Sequence, residues 1–251
     1  MIGIKEVNAC IAQWIGKREK QEDSYSVKSY PDGVLAIVCD GMGGHHYGAL
    51  AARTAVRAFV EHFESTEGKL SITSRLRQAL DAANTAVGKE FAKCDSYGGS
   101  TLVAAYIASG LLWWVSVGDS PLMLWRHRKL LRLNQDHSLR AIYMEYVKAG
   151  AFTYQEAMQQ GHRLRSAVTG EPFSMVDAPL TPQPLLPGDR IIIASDGVDS
   201  LLLPAVLPEA VESMLDDRSE RPLATRIVEA CIQLGEATAD NTTVITMDWP
   251  N

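Results

Sequence analysis

Apolar residues recur along this chain with two periods. Alternating or unbroken β-branched runs at 34–39, 101–108, 112–117, 122–125, 190–194 and 242–247 predict short strands spread over the whole length. Between them the period changes to that of a helix. Ala52, Val56, Phe59, Val60 and Phe63 share one helical face, and Leu76, Leu80, Ala83, Val87 and Phe91 share the next, so two consecutive amphipathic helices interrupt the strands as a pair. A further face, Leu223, Ile227, Ala230 and Leu234, predicts a helix before the last strand, with Pro222 in its first turn, where a missing N–H leaves no bond unmade.

Strands and helices come in groups and do not alternate one by one. The pattern therefore predicts the α+β class, antiparallel sheets with helices packed on them, and disfavours a repeating βαβ wheel. Residues 139–172 begin with helical character and then turn polar and glycine-containing without clear periodicity, which reads as an excursion from the core. A flap facing a substrate and an ordinary surface insertion both fit it. No repeat, low-complexity tract or linker divides the chain, so one domain over 1–251 is the simpler reading.

Composition narrows the function classes. With 251 residues and 46% hydrophobic content, the chain can bury a sizeable core. A net charge of −6 argues against a nucleic-acid partner, which selects clustered Lys and Arg. Cys10, Cys39, Cys94 and Cys231 are widely spaced without a Cys-x-x-Cys pair, so neither a zinc ribbon nor a disulfide framework is signalled, and reduced thiols are expected. The N-terminal residues show no basic stretch followed by an apolar one, and the apolar run at 111–117 is too short to span a bilayer; a soluble, cytoplasmic protein without a membrane partner is the expectation.

The chemistry gathers at strand ends. Asp40, Asp119 and Asp196 follow apolar strand runs, and Asp240 precedes one. Desolvating a carboxylate costs several kcal/mol (order of magnitude) unless a partner compensates it, and a shared cation is one such partner. If the strand after Asp240 runs antiparallel to those ending in Asp40 and Asp196, the three carboxylates meet at one end of the sheet. Small neighbours (Gly41, Gly118, Ser120, Gly197) let backbone approach an ion or phosphate, although each Asp-Gly step alone is also an ordinary turn. Carboxylate oxygens without a His-Cys cluster select hard cations such as Mg²⁺ or Mn²⁺. Upstream, Arg18 precedes the adjacent acids Glu22 and Asp23; alone this segment reads as a solvated turn, but its guanidinium fork matches phosphate oxygens.

The ordered set Arg18-x-x-Gln-Glu22-Asp23, Asp40-Gly-Met-Gly-Gly, Ser116-Val-Gly-Asp119-Ser, Gln135-Asp-His-Ser138, Ala194-Ser-Asp196-Gly and Asp240-Asn241 resembles the type 2C metal-dependent Ser/Thr protein phosphatases, in family order over nearly the whole chain. The resemblance implies a four-layer α-β-β-α sandwich, two antiparallel sheets flanked by helix pairs, with a binuclear metal site at one end. By motif, Asp40 bridges two Mn²⁺ or Mg²⁺ ions, the Gly41 carbonyl ligates one, and Asp196 and Asp240 hold the other. Glu22 and Asp23 act through bound waters or from behind the ligands, and Asn241 orients the site. Asp119 matches the aspartate of a weaker third ion in bacterial members, and Arg18 the arginine that grips substrate phosphate. The implied reaction is direct attack of a metal-bridging hydroxide on phosphoserine or phosphothreonine of a protein, without a phosphoenzyme. The compact size resembles stand-alone bacterial members that oppose a Ser/Thr kinase, and a monomer is expected.

Some positions depart from the pattern. Met42 stands where many eukaryotic relatives carry a histidine proposed as general acid, Pro121 replaces an arginine after Gly-Asp-Ser, and Ala49 an acidic residue; all proposed direct ligands remain. His45 and His46 read as helix-start surface or capping residues, and His137 as a structural histidine in a turn before the flap. Two rival classes stay open: a non-catalytic phosphoprotein-binding pseudophosphatase, and another two-metal phosphohydrolase.

Overall fold

Alternation along the central strands decides the layering. In a strand, successive side chains point to opposite faces, so a run that is apolar at every position must be covered on both sides. The computed structural model describes residues 7–43, 47–94, 96–202, 207–235 and 239–250. It opens with β1 (Asn8–Trp14), β2 (Ser24–Tyr30), β3 (Gly33–Cys39) and the two-residue β4 (Gly41–Met42), followed by the long helices α1 (Tyr47–Ser65) and α2 (Ile72–Cys94). Next come β5 (Gly99–Ser100), β6 (Leu102–Ala108), β7 (Leu111–Val117), β8 (Leu122–Arg126) and β9 (Lys129–Arg132), then α3 (Arg140–Lys148) and α4 (Tyr154–Gly161). The chain closes with β10 (Gln183–Pro184), β11 (Arg190–Ala194), α5 (Asp199–Leu202), α6 (Glu209–Asp216), α7 (Leu223–Leu234) and β12 (Thr242–Asp248).

Two five-stranded sheets form, ordered β1-β12-β11-β8-β9 and β10-β7-β6-β3-β2, with antiparallel neighbours throughout. Odd and even positions of β3 separate cleanly. Val34, Ala36 and Val38 face the other sheet and pack among Ile191, Ile193 and Ile245. Leu35, Ile37 and Cys39 face outward onto α1 and α2, against Ala55, Phe59, Phe63 and Leu80. The second sheet does the same in mirror order: Met123, Trp125, Ile192, Ala194 and Val244 turn outward onto Leu215 of α6 and Ile227 and Val228 of α7. The layers are thus helix pair, sheet, sheet, helix pair, as the resemblance implied.

Among the described residues the structure adds six strands, of which β4, β5 and β10 are two residues long, and corrects one helical face. β1, β2 and β9 lie at the sheet edges, where half-exposed polar positions hide the alternation. The buried stripe of α7 is Leu223, Ala224, Ile227, Val228 and Cys231; Ala230 is only partly buried and Leu234 is 51% exposed. Pro222 is the N-cap rather than a residue of the first turn, and Gly235 ends the helix in a left-handed conformation. The 139–172 excursion holds a second helix, α4, opened by a capping box in which Thr153 and Glu156 bond each other's backbone N–H. Tyr143, Tyr146 and Phe152 form a small aromatic cluster within this excursion, with ring centroids 5.3–6.2 Å apart. Among the described residues no disulfide forms: Cys39 and Cys231 are buried and Cys10 is partly buried, while the Cys94 side chain and His45 and His46 lie outside the described residues. No described helix is long and apolar enough to cross a membrane.

Ile193 is fully buried between the sheets, whereas Leu180 is 87% exposed. Ile193→Ala is expected to lower the unfolding free energy by about 2–5 kcal/mol in urea titrations, and Leu180→Ala to stay within about 0.5 kcal/mol.

Candidate metal and phosphate site

The acidic residues are placed by backbone that is itself fixed. Asp40 leaves β3 at a bend held by Thr101 and Ser100: the Asp40 N–H donates to Thr101 Oγ1 at 2.9 Å, and its carbonyl accepts from Thr101 N at 2.8 Å and Ser100 Oγ at 2.9 Å. A Cβ at Gly41 would collide with the carbonyls of Gly48 and Glu22, so this turn requires glycine for close backbone approach. Asp119 follows Gly118, whose φ of +99° makes the sharp turn between β7 and β8. Asp196 follows Ser195 at the end of β11 and opens a single helical turn leading into α5. Asp240 lies two residues before β12, where its Oδ1 accepts the Asn241 N–H at 2.8 Å.

Asn241 clamps the loop between β1 and β2. Its Nδ2 donates to the carbonyls of Ile15 (2.7 Å) and Lys20 (3.0 Å), and its Oδ1 accepts the N–H of Glu22 at 2.7 Å. This buried amide therefore holds residues 15–22 in place beneath Arg18. Asp23 points into the interior: Oδ2 accepts from Ser195 Oγ at 2.8 Å and Thr243 Oγ1 at 2.6 Å, while Oδ1 is buried without a hydrogen-bond partner. Arg18 bonds Asp240, Nη2 to Oδ2 at 2.5 Å, on a side chain 57% exposed.

Asp40, Asp119, Asp196 and Asp240 line one cleft of about 870 Å³ together with Arg18, Glu22, Gly41, Met42 and Asn241. The expectation that one sheet carries the carboxylates needs correction. β3 belongs to one sheet and β11 and β12 to the other, so the convergence is at one end of the sandwich, across both sheets. His162 and Leu164 of the 139–172 excursion also border the cleft, which sequence periodicity did not indicate.

Like charges without water titrate upward. Burial first, then Asp196, Asp23, Asp119 and Asp240, pushes the Asp40 carboxyl well above its ordinary range. Burial also raises Asp196 to about 6, with Asp240 and Asp23 adding to it, and Asp119 to about 7, with Asp196 and Asp136 adding. Asp23 rises to about 6 through burial, although its Ser195 and Thr243 bonds oppose the shift. Glu22 rises for the same first reason, with Arg18 pulling against it. A set of acids that holds protons this firmly is one that a cation relieves.

As they stand, no three acidic, histidine or cysteine side chains among the described residues enclose an ion, and Asp240 is turned to Arg18. The donor set nevertheless fits hard divalent cations: it is all oxygen, and buried Asp23 Oδ1 lacks a partner. Two residues missed by the sequence reading belong here. Arg140, two residues after Ser138, lies within 3.9 Å of Asp119 and 2.5 Å of Asp199, which itself follows Asp196 by three positions. His137 is structural: Nδ1 accepts the Gly118 N–H at 3.3 Å and its backbone N–H donates to the Gly118 carbonyl at 3.1 Å, while burial lowers its pKa.

The model of the family described as Protein phosphatase 2C matches residues 13–233. Serine/threonine protein phosphatase PstP of Mycobacterium tuberculosis is 30% identical over 241 residues, 92% of this chain and 42% of the relative, so the chain spans about two fifths of that protein. Serine/threonine phosphatase stp of Listeria monocytogenes is 29% identical over 204 residues, 78% of this chain and 79% of the relative. The crystal structure of the catalytic domain of serine threonine protein phosphatase PstP in complex with two manganese ions superposes with a TM-score of 0.76 at 26% identity, covering 98% of this chain and 99% of that one.

A carboxyl whose folded pKa is raised contributes stability below its unfolded value near 3.9 and loses it as pH rises through the folded value. With Asp23 and Asp196 at about 6 and Asp119 at about 7, the metal-free protein is expected to lose stability between about pH 4 and 7. Thermal melts in chelator should show the midpoint falling by several degrees over that window, and added Mn²⁺ should flatten the fall.

Proposed function

We propose, for a chain that belongs to the protein phosphatase 2C family, that its cleft hydrolyses phosphoserine and phosphothreonine esters in proteins with the help of two divalent cations. The observation that carries this reading is the gathering of Asp40, Asp196 and Asp240 from two sheets into one cleft together with an exposed guanidinium, Arg18. Asp40, its neighbouring Gly41 carbonyl, Asp196 and Asp240 would hold Mn²⁺ or Mg²⁺, and Glu22 and Asp23 would support them from behind. Bound there, two such cations would activate water as a nucleophile and neutralise charge on the phosphoryl oxygens.

The remaining steps belong to the chain. Arg18 is more than half exposed and so is Asp240 nearly, which lets the guanidinium exchange that carboxylate for a substrate phosphate and accept the charge developing on its oxygens. Asn241 fixes the loop that presents Arg18 and Glu22. Thr101 and Ser100 hold the Asp40 backbone at a set depth, so the reacting geometry does not depend on a flexible turn. Met42 at the cleft carries no acidic proton for the leaving serine or threonine oxygen. The 139–172 segment borders the cleft through His162 and Leu164, just after α4, and would act as a flap over the phosphorylated segment. Such substrates are products of Ser/Thr kinases, whose action this activity would reverse.

Hydrolysis of a phosphothreonine peptide with Mn²⁺, beside the same assay in chelator and beside DNA, separates this reading from a binding-only protein and from a nuclease. Metal-independent turnover, or turnover of DNA alone, contradicts it. Asp40→Asn and Asp196→Asn should each lower kcat at least about a hundredfold. Arg18→Ala should act mainly by raising KM, with a smaller fall in kcat, since the groups that generate the nucleophile remain.

A further inference from the structure

Arg140 stands among three aspartates. Its Nη1 lies 2.5 Å from Asp199 Oδ2, its Nη2 3.9 Å from Asp119 Oδ2 and its Nε 3.9 Å from Asp136 Oδ2, and the side chain is only 12% exposed. The neighbours are fixed in turn: Asp136 Oδ1 accepts from Ser138 N at 2.8 Å and Ser138 Oγ at 2.5 Å, and Asp136 Oδ2 from Arg132 Nη1 at 3.2 Å. The same Arg132 donates from Nη2 to the Asp119 carbonyl at 2.6 Å. Both the carboxylate and the backbone of Asp119 thus already face arginines.

A guanidinium is a permanent cation with five donors and no acceptor, so it satisfies carboxylates and repels a metal ion from the same space. Asp119 is the residue that the resemblance assigns to a weaker third ion. Asp199 lines a second cavity of about 320 Å³ with Arg140, Asp196 and Asp240, and it keeps one buried oxygen, Oδ1, without a hydrogen bond. One oxygen beside a guanidinium is a poor seat for a dication. The residues present therefore do not fit a third ion as long as Arg140 is in place.

We infer that Arg140 is a positioning residue that replaces a third cation: its fixed charge holds Asp119 and Asp199 and ties the start of α3, the root of the 139–172 segment, to the rim of the two-cation centre. Arg140 is the first residue of α3, so the charge and the flap are anchored by one side chain. The inference rests on the two-cation reading of the cleft.

Manganese bound per chain, measured on the full chain by equilibrium dialysis and metal analysis near neutral pH, tests it. The wild-type chain is expected to bind two ions, unchanged in number by Asp119→Asn. Arg140→Ala is expected to gain a third, weaker ion, which Arg140→Ala combined with Asp119→Asn loses again; Arg140→Lys is expected to stay at two. A third ion in the wild type that Asp119→Asn removes overturns the inference, as does a folded Arg140→Ala chain that stays at two. If Arg140→Ala does not fold, the wild-type and Asp119→Asn counts decide alone. Fewer than two ions in the wild type, or an undiminished count in Asp40→Asn, strikes instead at the two-cation reading itself.

Discussion

Mutual repulsion of carboxylates held away from water is the constraint on which this structure turns. Asp23, Asp40, Asp119, Asp196 and Asp240 share one end of a sandwich whose remaining interior is aliphatic. Nothing in their local sequence brings them together. The gathering is done by β3, β11 and β12, whose inner residues Ala36, Val38, Ile193 and Ile245 interdigitate between the sheets and so leave no freedom in where each strand ends. Burial of apolar surface thus holds in place an electrostatic arrangement that opposes it. Protons, cations and arginines are the three available remedies, and burial together with the neighbouring carboxylates raises the pKa of Asp40, Asp119 and Asp196.

The site divides by how each acid is restrained. Asp23 is sewn to Ser195 and Thr243 by short hydrogen bonds, and the backbone of Asp40 to Thr101 and Ser100, so these two positions cannot swing without breaking buried bonds. Among the described residues the Asp240 carboxylate bonds its neighbour's N–H and the exposed guanidinium of Arg18. An exposed ion pair contributes little to stability and is easily exchanged. The part of the site that meets a substrate is therefore the part with weak internal bonds, and the part that must keep a geometry is buried.

How far the sequence reading reached follows from the range of each physical signal. Alternating or unbroken apolar runs exposed six strands, because burial on both faces makes β3, β6 and β11 apolar at nearly every position. Edge strands such as β2, with Lys28 and three serines, carry no such pattern and were invisible. The acids were legible as strand-end residues, yet that they come from different sheets is a property of strand order, which no local window contains. Arg140 was missed for a related reason. Its meaning depends on Asp119 and Asp199, which are 21 and 59 positions away and join it only once α3 is folded against the turn at Gly118 and His137.

Two arginines near one acidic centre illustrate why burial rather than charge assigns a role. Arg18 and Arg140 carry the same group and each pairs with an aspartate at 2.5 Å. Arg18, with a side chain 57% exposed, loses little hydration in its pair and regains it on release, so its partner is negotiable. Arg140, 12% exposed, has surrendered most of its water; removing its carboxylates would leave a largely buried charge uncompensated, and removing the guanidinium would leave Asp119 and Asp199 so. An exchangeable cation suits a substrate anion that arrives and leaves. A cation that cannot leave suits a permanent structural charge, and a centre that already holds one has less need to recruit another from solution.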